Sequence, residues 1–366
     1  MDAIERSNVT SPLDFAARED RQGGDLRSYA EGAVRLDLSI CSNTMGPPPS
    51  AVAALREFAT RRPRELVPPP YEAGQQYIQA YAAYVGAQEP DLLCGRGVTE
   101  FLVVLSRVLA GRDVALVPPE YTETLNRFAY ATHYGPADAA HDTAAARLRR
   151  VEHAMANHRY VLLSNPNNPL GIHHSRQELL EVCRAHPQST LIVDEEYVHL
   201  GPRGVSLVGA DLDNVLVLQS SGKTFGLTGT RAGVLWTHNL PLRQTVAEHL
   251  PTWPLSLLDA VVTTAALSDT GWSGTTLPYV RGFARRLEEL LVSRFDSVVA
   301  ADIHYRFIHL TDPEPTVRHL EKHGIAVRAF DGRIRGRASG IRLMTPVTEM
   351  DFDLLDRALR DLPEHR

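Results

Sequence analysis

Short apolar segments, each followed by a polar cluster, recur through the first two thirds of the chain. Residues 114–117, 160–163, 191–193 and 215–218 are almost wholly aliphatic, and stretches long enough for helices separate them. Aliphatic runs of this length are typical of strands buried on both faces of a parallel sheet. The alternation therefore predicts an α/β protein with a mostly parallel, doubly wound sheet.

The character of the sequence changes after about residue 238. Helical segments at 240–250, 255–267 and 279–295 precede strand-like segments at 305–310, 325–330 and 340–344 and a last helix at about 349–362. We expect a large domain at 46–268 and a smaller α+β domain at 269–366, with residues 1–45 forming an N-terminal arm and part of the small domain. Alternation at 34–40 predicts a strand, and Ser50 is a suitable N-cap for a helix that ends near Arg61.

The composition is that of an ordinary globular protein. With 43% hydrophobic residues, 22% charged residues and a net charge of −6, neither nucleic acid nor an anionic membrane is expected as a partner. No apolar run reaches membrane-spanning length, and residues 1–19 do not resemble a signal peptide. The three cysteines lack metal-ligand spacing, so we predict no metal site and a reducing, cytoplasmic location.

The polar cluster after the last aliphatic run is the most informative. Residues 219–231 read QSSGKTFGLTGTR and place Lys223 just beyond a buried strand. Burial disfavours an ammonium, which suits an amine that condenses with an aldehyde, and Ser220 with Arg231 can hold an anion beside it. A lysine next to an anion site is what pyridoxal phosphate requires. A P-loop is excluded because Val217 stands where that motif needs glycine, whereas a solvated loop lysine remains the simple alternative.

The other clusters supply further groups that such a cofactor needs. Asp194 ends a buried strand, and pairing with a protonated pyridine nitrogen would offset the cost of burying its carboxylate. Asn168 and Tyr197 are suitable donors to a phenolic oxygen, and Tyr121 can stack on a ring. The run Gly97-Val98-Thr99 opens a helix whose amides can bind phosphate. Each of these residues also has an ordinary structural alternative. Asp194 can be a helix N-cap, Asn168 a turn residue, the two tyrosines core residues, and the run at 97–99 an ordinary helix start.

Three motifs together resemble the fold-type I pyridoxal phosphate enzymes of the class I/II aminotransferase superfamily, and above all its histidinol-phosphate aminotransferase and threonine-phosphate decarboxylase branch. Residues 165–171 match the pattern Asn-Pro-Asn-Asn-Pro-Thr-Gly, with Leu170 in place of threonine. Residues 194–197 match Asp-Glu-x-Tyr, and residues 220–231 match Ser-x-x-Lys followed by arginine eight positions after the lysine. The resemblance extends from about Gly23 to the last helix.

The resemblance implies roles for the matched residues. Lys223 corresponds to the Schiff-base lysine, which forms the internal aldimine and then acts as general base, and Asp194 to the partner of the pyridine nitrogen. Asn168 and Tyr197 correspond to the ligands of the phenolic oxygen, and Tyr121 to the stacking aromatic. The residues expected to bind the phosphate are Gly97, Val98, Thr99, Ser220 and Arg231.

The resemblance also implies substrate contacts and a homodimer with shared active sites. Tyr71 corresponds to a tyrosine that reaches the phosphate in the partner subunit. Arg342 corresponds to the arginine that binds the substrate carboxylate, for which its bidentate geometry is suited. Arg328 stands where a second substrate arginine is often found, and Asn43 resembles an N-terminal substrate contact. For either arginine alone, a solvated surface position is the ordinary alternative.

Some positions depart from the family pattern. Gly222 replaces a serine or threonine that binds phosphate, and Val98 replaces an acidic residue. Gln22 stands where the decarboxylase branch has histidine, and residues 41–46 (CSNTMG) replace the usual Asn-x-Asn-Pro-x-Gly. We therefore expect an aminotransferase that acts on an amino acid or amino-acid-like substrate other than histidinol phosphate, and on a keto acid, in a specialised biosynthetic pathway. Decarboxylation, elimination or cyclisation on the same fold is the alternative. A non-catalytic binding protein is disfavoured because Lys223 is intact.

Overall fold

A seven-stranded sheet forms the centre of the protein. The computed structural model describes residues 25–27, 29–136 and 142–362. The strands of this sheet are Leu92–Gly95 (β2), Val114–Leu116 (β3), Thr132–His133 (β4), Tyr160–Ser164 (β5), Thr190–Asp194 (β6), Val215–Ser220 (β7) and Gly233–Trp236 (β8). Their order is β2-β8-β7-β6-β5-β3-β4, and β8 alone runs antiparallel to its neighbours. The predicted mostly parallel sheet is confirmed.

Helices cover both faces of the sheet. They are Pro49–Arg61 (α1), Ala73–Val85 (α2), Gly97–Val108 (α3), Thr122–Arg127 (α4), Ala144–Asn157 (α5), Arg176–Ala185 (α6), Leu240–Glu248 (α7) and Leu257–Ser268 (α8). Successive residues of a strand face opposite sides of the sheet. Val161 and Leu163 accordingly lie in the core shared with α2, α5, α6 and α8, whereas Leu162 lies in the core shared with α3 and α7.

The register of the parallel strands brings their polar clusters to one edge. Ser164 at the end of β5 pairs with Asp194 at the end of β6, and Asp194 pairs with Leu218 of β7. The segments that follow these three strands therefore begin side by side. This edge is where open α/β sheets bind their ligands.

A second unit follows the sheet in the chain. It contains Thr270–Val292 (α9), Tyr305–His309 (β9), Glu314–Lys322 (α10), Ile325–Ala326 (β10), Arg328–Phe330 (β11), Gly340–Met344 (β12) and Glu349–Arg360 (α11). Strands β11, β12 and β9 form an antiparallel sheet, and Leu36–Asp37 (β1) pairs with β10. One apolar core joins Leu36, Leu38 and Cys41 to residues of 287–359. This core supports the proposed small domain; the boundaries 1–45, 46–268 and 269–366 stay a prediction, and residues 1–24 lie outside the described ranges.

The structure differs from the sequence pattern at several element ends. Ser50 is not the N-cap, because Pro48 occupies that position two residues earlier and Pro49 is the first helical residue. The Ser50 hydroxyl has no partner in the described chain. The strand predicted at 34–40 is only two residues long, since its neighbour β10 is equally short. Helix α9 starts at Thr270, where the Asp269 side chain accepts from Trp272 N at 2.9 Å, and it continues through Pro278. In the described part of the chain, no helix has the length and apolar character needed to cross a membrane.

Candidate active site

A cavity of about 420 Å³ lies at the carboxyl edge of the large sheet, facing β11 and β12. This volume is in the range of small-molecule binding sites. All predicted cofactor residues except Tyr71 line it, namely Gly97, Val98, Thr99, Tyr121, Asn168, Asp194, Tyr197, Ser220, Lys223 and Arg231. Arg328 and Arg342 line it from the small sheet.

Lys223 reaches the cavity from the turn after β7. Burial lowers the pKa of its amine, and the nearby carboxylate of Glu196 opposes that shift. The Lys223 side chain forms no hydrogen bond or ion pair with another described residue. Its neutral form is therefore more accessible than that of a solvated lysine, as an attacking amine requires.

Asp194 ends β6 and is buried, with Oδ1 accepting a hydrogen bond from Glu196 N at 3.0 Å. Burial raises the pKa of its carboxyl group well above the usual value, and the negative charge of Glu196 raises it further. No cationic side chain forms an ion pair with Asp194 in the described part of the chain. A buried carboxyl group in this state needs either a proton or a cation from a ligand in the cavity.

Arg342 connects the small sheet to the segment after β5. It lies on β12, where Nη1 donates to Asn168 Oδ1 at 2.7 Å and Nη2 donates to the Ser39 carbonyl at 3.4 Å. Its Nε is buried and has no partner among the described residues. Tyr197 is buried next to this pair, with its ring centroid 5.3 Å from that of Tyr305.

The start of α3 and Arg231 form one wall of the cavity. Gly97 has a φ of 73°, and a Cβ atom there would lie 3.1 Å from Arg231 Nη2, so a side chain at 97 would displace the guanidinium. The first amides of a helix have no intrahelical acceptor and favour an anion. Thr99 and Tyr121 line the cavity beside this helix start, and Ser220 adds a second hydroxyl. Amides, hydroxyls and a cation thus meet in a cradle suited to a phosphate group.

Glu120 and Arg147 hold the loops that carry Tyr121 and Asn168. Their ion pair is 2.6 Å long, and both side chains are 1% exposed. Glu120 also accepts from Ser164 N at 2.8 Å and from Ser164 Oγ at 2.7 Å, and Asn168 N donates to that same Oγ at 3.1 Å. The sequence analysis missed this network. Its signal is a carboxylate directly after Pro118-Pro119 at the end of a buried strand.

Two predicted site residues lie outside the cavity lining. Asn43 is buried, but its Nδ2 donates to the Thr224 carbonyl at 3.1 Å and its Oδ1 accepts from Met45 N at 3.1 Å. Its amide therefore ties the N-terminal segment to the lysine loop instead of facing a substrate. Tyr71 is 71% exposed, with its ring edge-on to Trp253 at 5.9 Å.

Cys41 and Glu196 also line the cavity, although the sequence analysis assigned neither of them a role. Burial raises the pKa of the Cys41 thiol. Glu196 lies beside Ser220, whose Oγ donates to Glu196 Oε1 at 2.8 Å. The signal for Glu196 is a run of three carboxylates immediately after a buried strand, of which only the first two match the family pattern.

The groups in the cavity fit pyridoxal 5'-phosphate. A buried carboxyl group without a cation, a lysine of lowered pKa and an anion cradle lie around one space. Each satisfies a different part of that cofactor, namely the ring nitrogen, the aldehyde and the phosphate. Within the described ranges, no group of three or more His, Cys, Asp or Glu side chains is arranged to hold a metal ion.

Known proteins with similar sequences and structures point the same way. Histidinol-phosphate aminotransferase of Shewanella amazonensis is 26% identical over 273 residues, which are 69% of this chain and 72% of that protein. Threonine-phosphate decarboxylase of Pseudomonas aeruginosa is 29% identical over 353 residues, 93% of this chain and 98% of that protein. The crystal structure of histidinol-phosphate aminotransferase from Sinorhizobium meliloti in complex with pyridoxal-5'-phosphate has a TM-score of 0.75 at 18% identity, covering 90% of this chain and 92% of that one.

The structural likeness confirms the predicted fold-type I architecture. The sequence model of the family described as aminotransferase class I and II matches residues 34–364, nearly the whole chain. This match confirms the predicted enzyme class and pyridoxal 5'-phosphate as its cofactor, and an amino acid substrate is consistent with that class. The chain belongs to the aminotransferase class I and II family.

Proposed function

We propose that the protein transfers the amino group of an amino acid to a keto acid, with Lys223 as the residue that moves the proton. The observation that carries this proposal is the convergence of Lys223, Asp194 and Arg231 on one cavity. Pyridoxal 5'-phosphate, when bound, supplies an aldehyde that condenses with amines and a ring that withdraws electrons from the bonds at the substrate Cα.

We propose that Asp194 pairs with the protonated ring nitrogen, which would supply the cation its buried carboxyl group lacks. Asn168 Oδ1 is already engaged by Arg342, so its Nδ2 is the donor left for the phenolic oxygen, together with the Tyr197 hydroxyl. Tyr121 packs on the ring face. The phosphate is assigned to the amides of Gly97 and Val98 and to Thr99, Ser220 and Arg231.

In the reaction, Arg342 binds the substrate carboxylate with two parallel N–H groups. Lys223 Nζ accepts the Cα proton and serves as the donor when a proton returns. The lowered pKa of the Lys223 amine supports this role, because a general base must be neutral before it accepts. Arg328 pairs with Arg342 across β11 and β12, and we assign it to a second anionic group of the substrate.

We further propose a homodimer with shared active sites. The support is an apolar surface made of Leu66, Val67, Tyr71 and Trp253, which are 54%, 85%, 71% and 47% exposed. A second copy of the chain would cover these side chains and bring Tyr71 to the partner's phosphate. Sedimentation that gives a monomer mass at micromolar concentration would contradict this. We place the enzyme in the cytoplasm, in keeping with the free thiols of Cys41, Cys94 and Cys183.

The function is tested by mixing the yellow enzyme with a panel of amino acids and following both the cofactor absorbance and carbon dioxide release. We expect conversion to the pyridoxamine form with no carbon dioxide, followed by recovery on addition of a keto acid. Lys223→Ala should abolish the conversion while it retains the fold. Conversion at the wild-type rate in that variant would refute the assigned role.

Decarboxylation is the second candidate. It is favoured by the similarity to a threonine-phosphate decarboxylase over 93% of this chain. The segment Gln22 to Gly24, which resembles the lead-in of that branch, lies outside the described residues. Carbon dioxide release while the cofactor keeps its aldehyde form would establish this activity in place of transamination.

A further inference from the structure

Glu196 introduces a negative charge into a cradle built for an anion. Its Oε1 accepts the hydrogen bond of Ser220 Oγ at 2.8 Å, and Ser220 is one of the residues assigned to the phosphate. Its Oε2 is buried and has no hydrogen-bond partner among the described residues. A buried carboxyl oxygen at a ligand cavity without a partner calls for a proton or a ligand.

Burial and the nearby cations act on the Glu196 carboxyl group in opposite directions. Lys223 and Arg231 favour its carboxylate form, while burial, which has the larger effect, raises its pKa. Asp194 is the like charge nearby, two residues earlier in the chain. The other titratable groups that face it are phenols whose pKa values burial raises, so they stay neutral: Tyr77, Tyr81, Tyr121 and Tyr197. Glu196 is thus the acidic group that contacts a residue assigned to the phosphate, and an anion bound there would favour its protonated form.

The hydrogen bonds of the cradle are incomplete for a phosphate. The Ser220 hydroxyl has one proton, and it uses this proton in the hydrogen bond that it donates to Glu196 Oε1. The same Oγ accepts a hydrogen bond from Gly222 N at 3.2 Å. Position 222 carries no hydroxyl, and the nearest atoms to a Cβ there would be 3.6 Å away. A phosphate dianion beside a carboxylate would be repelled, whereas a carboxylic acid in the same place is a donor.

We propose that Glu196 is a proton-coupled member of the phosphate cradle. As a carboxylate it holds Ser220 before the cofactor binds, and binding of the phosphate adds one proton from solvent to Glu196, whose acid form then donates a hydrogen bond to a phosphate oxygen. Loss of the negative charge also weakens the hydrogen bond that Ser220 Oγ donates to Glu196 Oε1, so that the hydroxyl can turn to the phosphate as a second donor. This inference rests on the proposed function, because it requires pyridoxal 5'-phosphate in this cavity.

The test compares the affinity of wild-type and Glu196→Gln apoenzyme for pyridoxal 5'-phosphate between about pH 6 and pH 9. Linkage predicts that the wild-type dissociation constant rises up to tenfold more per pH unit than that of the variant. Calorimetry in two buffers of different ionisation enthalpy should count up to one more proton taken up by the wild type. Protonation of the cofactor is common to both proteins, whereas the Lys223 amine senses the loss of the Glu196 charge and needs a control of its own.

Pyridoxal, which lacks the phosphate, is the control ligand. Its aldehyde meets the same lysine, so an effect of the substitution on Lys223 appears with both ligands, whereas the additional wild-type proton should appear with pyridoxal 5'-phosphate alone. Glu196→Ala serves as a second variant and should lose the same proton, with circular dichroism reporting that each variant is folded. Equal proton uptake by wild type and both variants would overturn the inference, as would a wild-type excess that is as large with pyridoxal as with pyridoxal 5'-phosphate. Failure of every protein to bind pyridoxal 5'-phosphate would instead overturn the proposed function and this inference with it.

Discussion

The strongest stability prediction concerns the buried pair of Glu120 and Arg147. The two charged groups are 2.6 Å apart, and each side chain is 1% exposed, so solvent screens neither of them. Arg147→Met would leave the Glu120 carboxylate buried with neutral donors only, namely Ser164 N, Ser164 Oγ and Tyr121 N. Removing one member of a buried ion pair costs about 3–5 kcal/mol. We expect the free energy of unfolding of the apoenzyme to fall by that amount.

The double variant Glu120→Gln/Arg147→Met separates the lost charge from the lost volume. Glutamine keeps an acceptor for Ser164 and carries no charge, so no ion is left buried. We expect the double variant to recover about 2 kcal/mol or more of the loss, which appears as a coupling energy in the double-mutant cycle. Glu120→Gln alone completes the cycle.

Urea unfolding of the four apoenzymes at one fixed protein concentration measures these differences. Cofactor affinity is the second measurement. Asn168 N donates a hydrogen bond to Ser164 Oγ at 3.1 Å, so Asn168 should lose its fixed position when the contacts of Glu120 with Ser164 are disturbed. A decrease of less than about 1 kcal/mol in the unfolding free energy of Arg147→Met would refute the reasoning, because loss of one partner from a buried ion pair should cost several times more. A double variant no more stable than Arg147→Met would refute it as well.

Three further changes test the cradle and the pH dependence. Gly97→Ala should weaken cofactor binding by about tenfold or more, because its Cβ would lie 3.1 Å from Arg231 Nη2. Gly111→Ala is the control: its φ of 72° brings a similar backbone strain, but no atom lies within 4 Å of its Cβ, so binding should be unchanged. Gly222→Ser adds a hydroxyl at a position where a Cβ atom would be in ordinary van der Waals contact, 3.6 Å from its nearest neighbours. It should slow cofactor loss on dialysis by about fivefold, the effect of one hydrogen bond, and an unchanged rate would show that the cradle lacks no donor. Burial lowers the pKa of His174 to about 3, so the folded state keeps it neutral while the unfolded state takes up a proton below about pH 6.5. The unfolding free energy should therefore decrease as pH falls, by up to about 1.4 kcal/mol per pH unit. His174→Leu should reduce the slope of the unfolding free energy against pH between pH 6 and pH 4, and an equal slope in both proteins would contradict this.

Much of the site was accessible to sequence reasoning because each residue follows a strand with a clear aliphatic pattern. Asn168, Asp194 and Lys223 come after β5, β6 and β7, and the ends of parallel neighbours must meet at one edge. This prediction required only that the three strands lie in one parallel sheet, and it did not depend on the order of the strands in that sheet. Local patterns could therefore identify the cavity wall without a tertiary model.

Contacts between distant segments could not be predicted in this way. Glu120 and Arg147 lie in different elements, and nothing in the sequence near either one names the other as its partner. Asn43 fits a motif for a substrate contact, yet its side chain is used by the lysine loop, which lies far away in the chain. The predicted helix starts differ from the observed ones next to prolines. The helix predicted from 279 starts at Thr270 and runs through Pro278, and the helix predicted after Ser50 starts at Pro49.

The absence of a hydroxyl at Gly222 and the presence of a carboxyl group at Glu196 are best understood together. Both meet at Ser220 Oγ, which accepts from Gly222 N and donates to Glu196 Oε1. A serine at position 222 would add one hydroxyl donor to the phosphate cradle and would not require an acid there. In this protein the additional donor is the carboxyl group of Glu196, which can donate only when it is protonated. The affinity for the cofactor phosphate then becomes a function of pH, while the pairing of Asp194 with the ring nitrogen does not involve Ser220. Gly222→Ser combined with Glu196→Gln should accordingly bind pyridoxal 5'-phosphate tightly and with the weaker pH dependence of the Glu196→Gln protein.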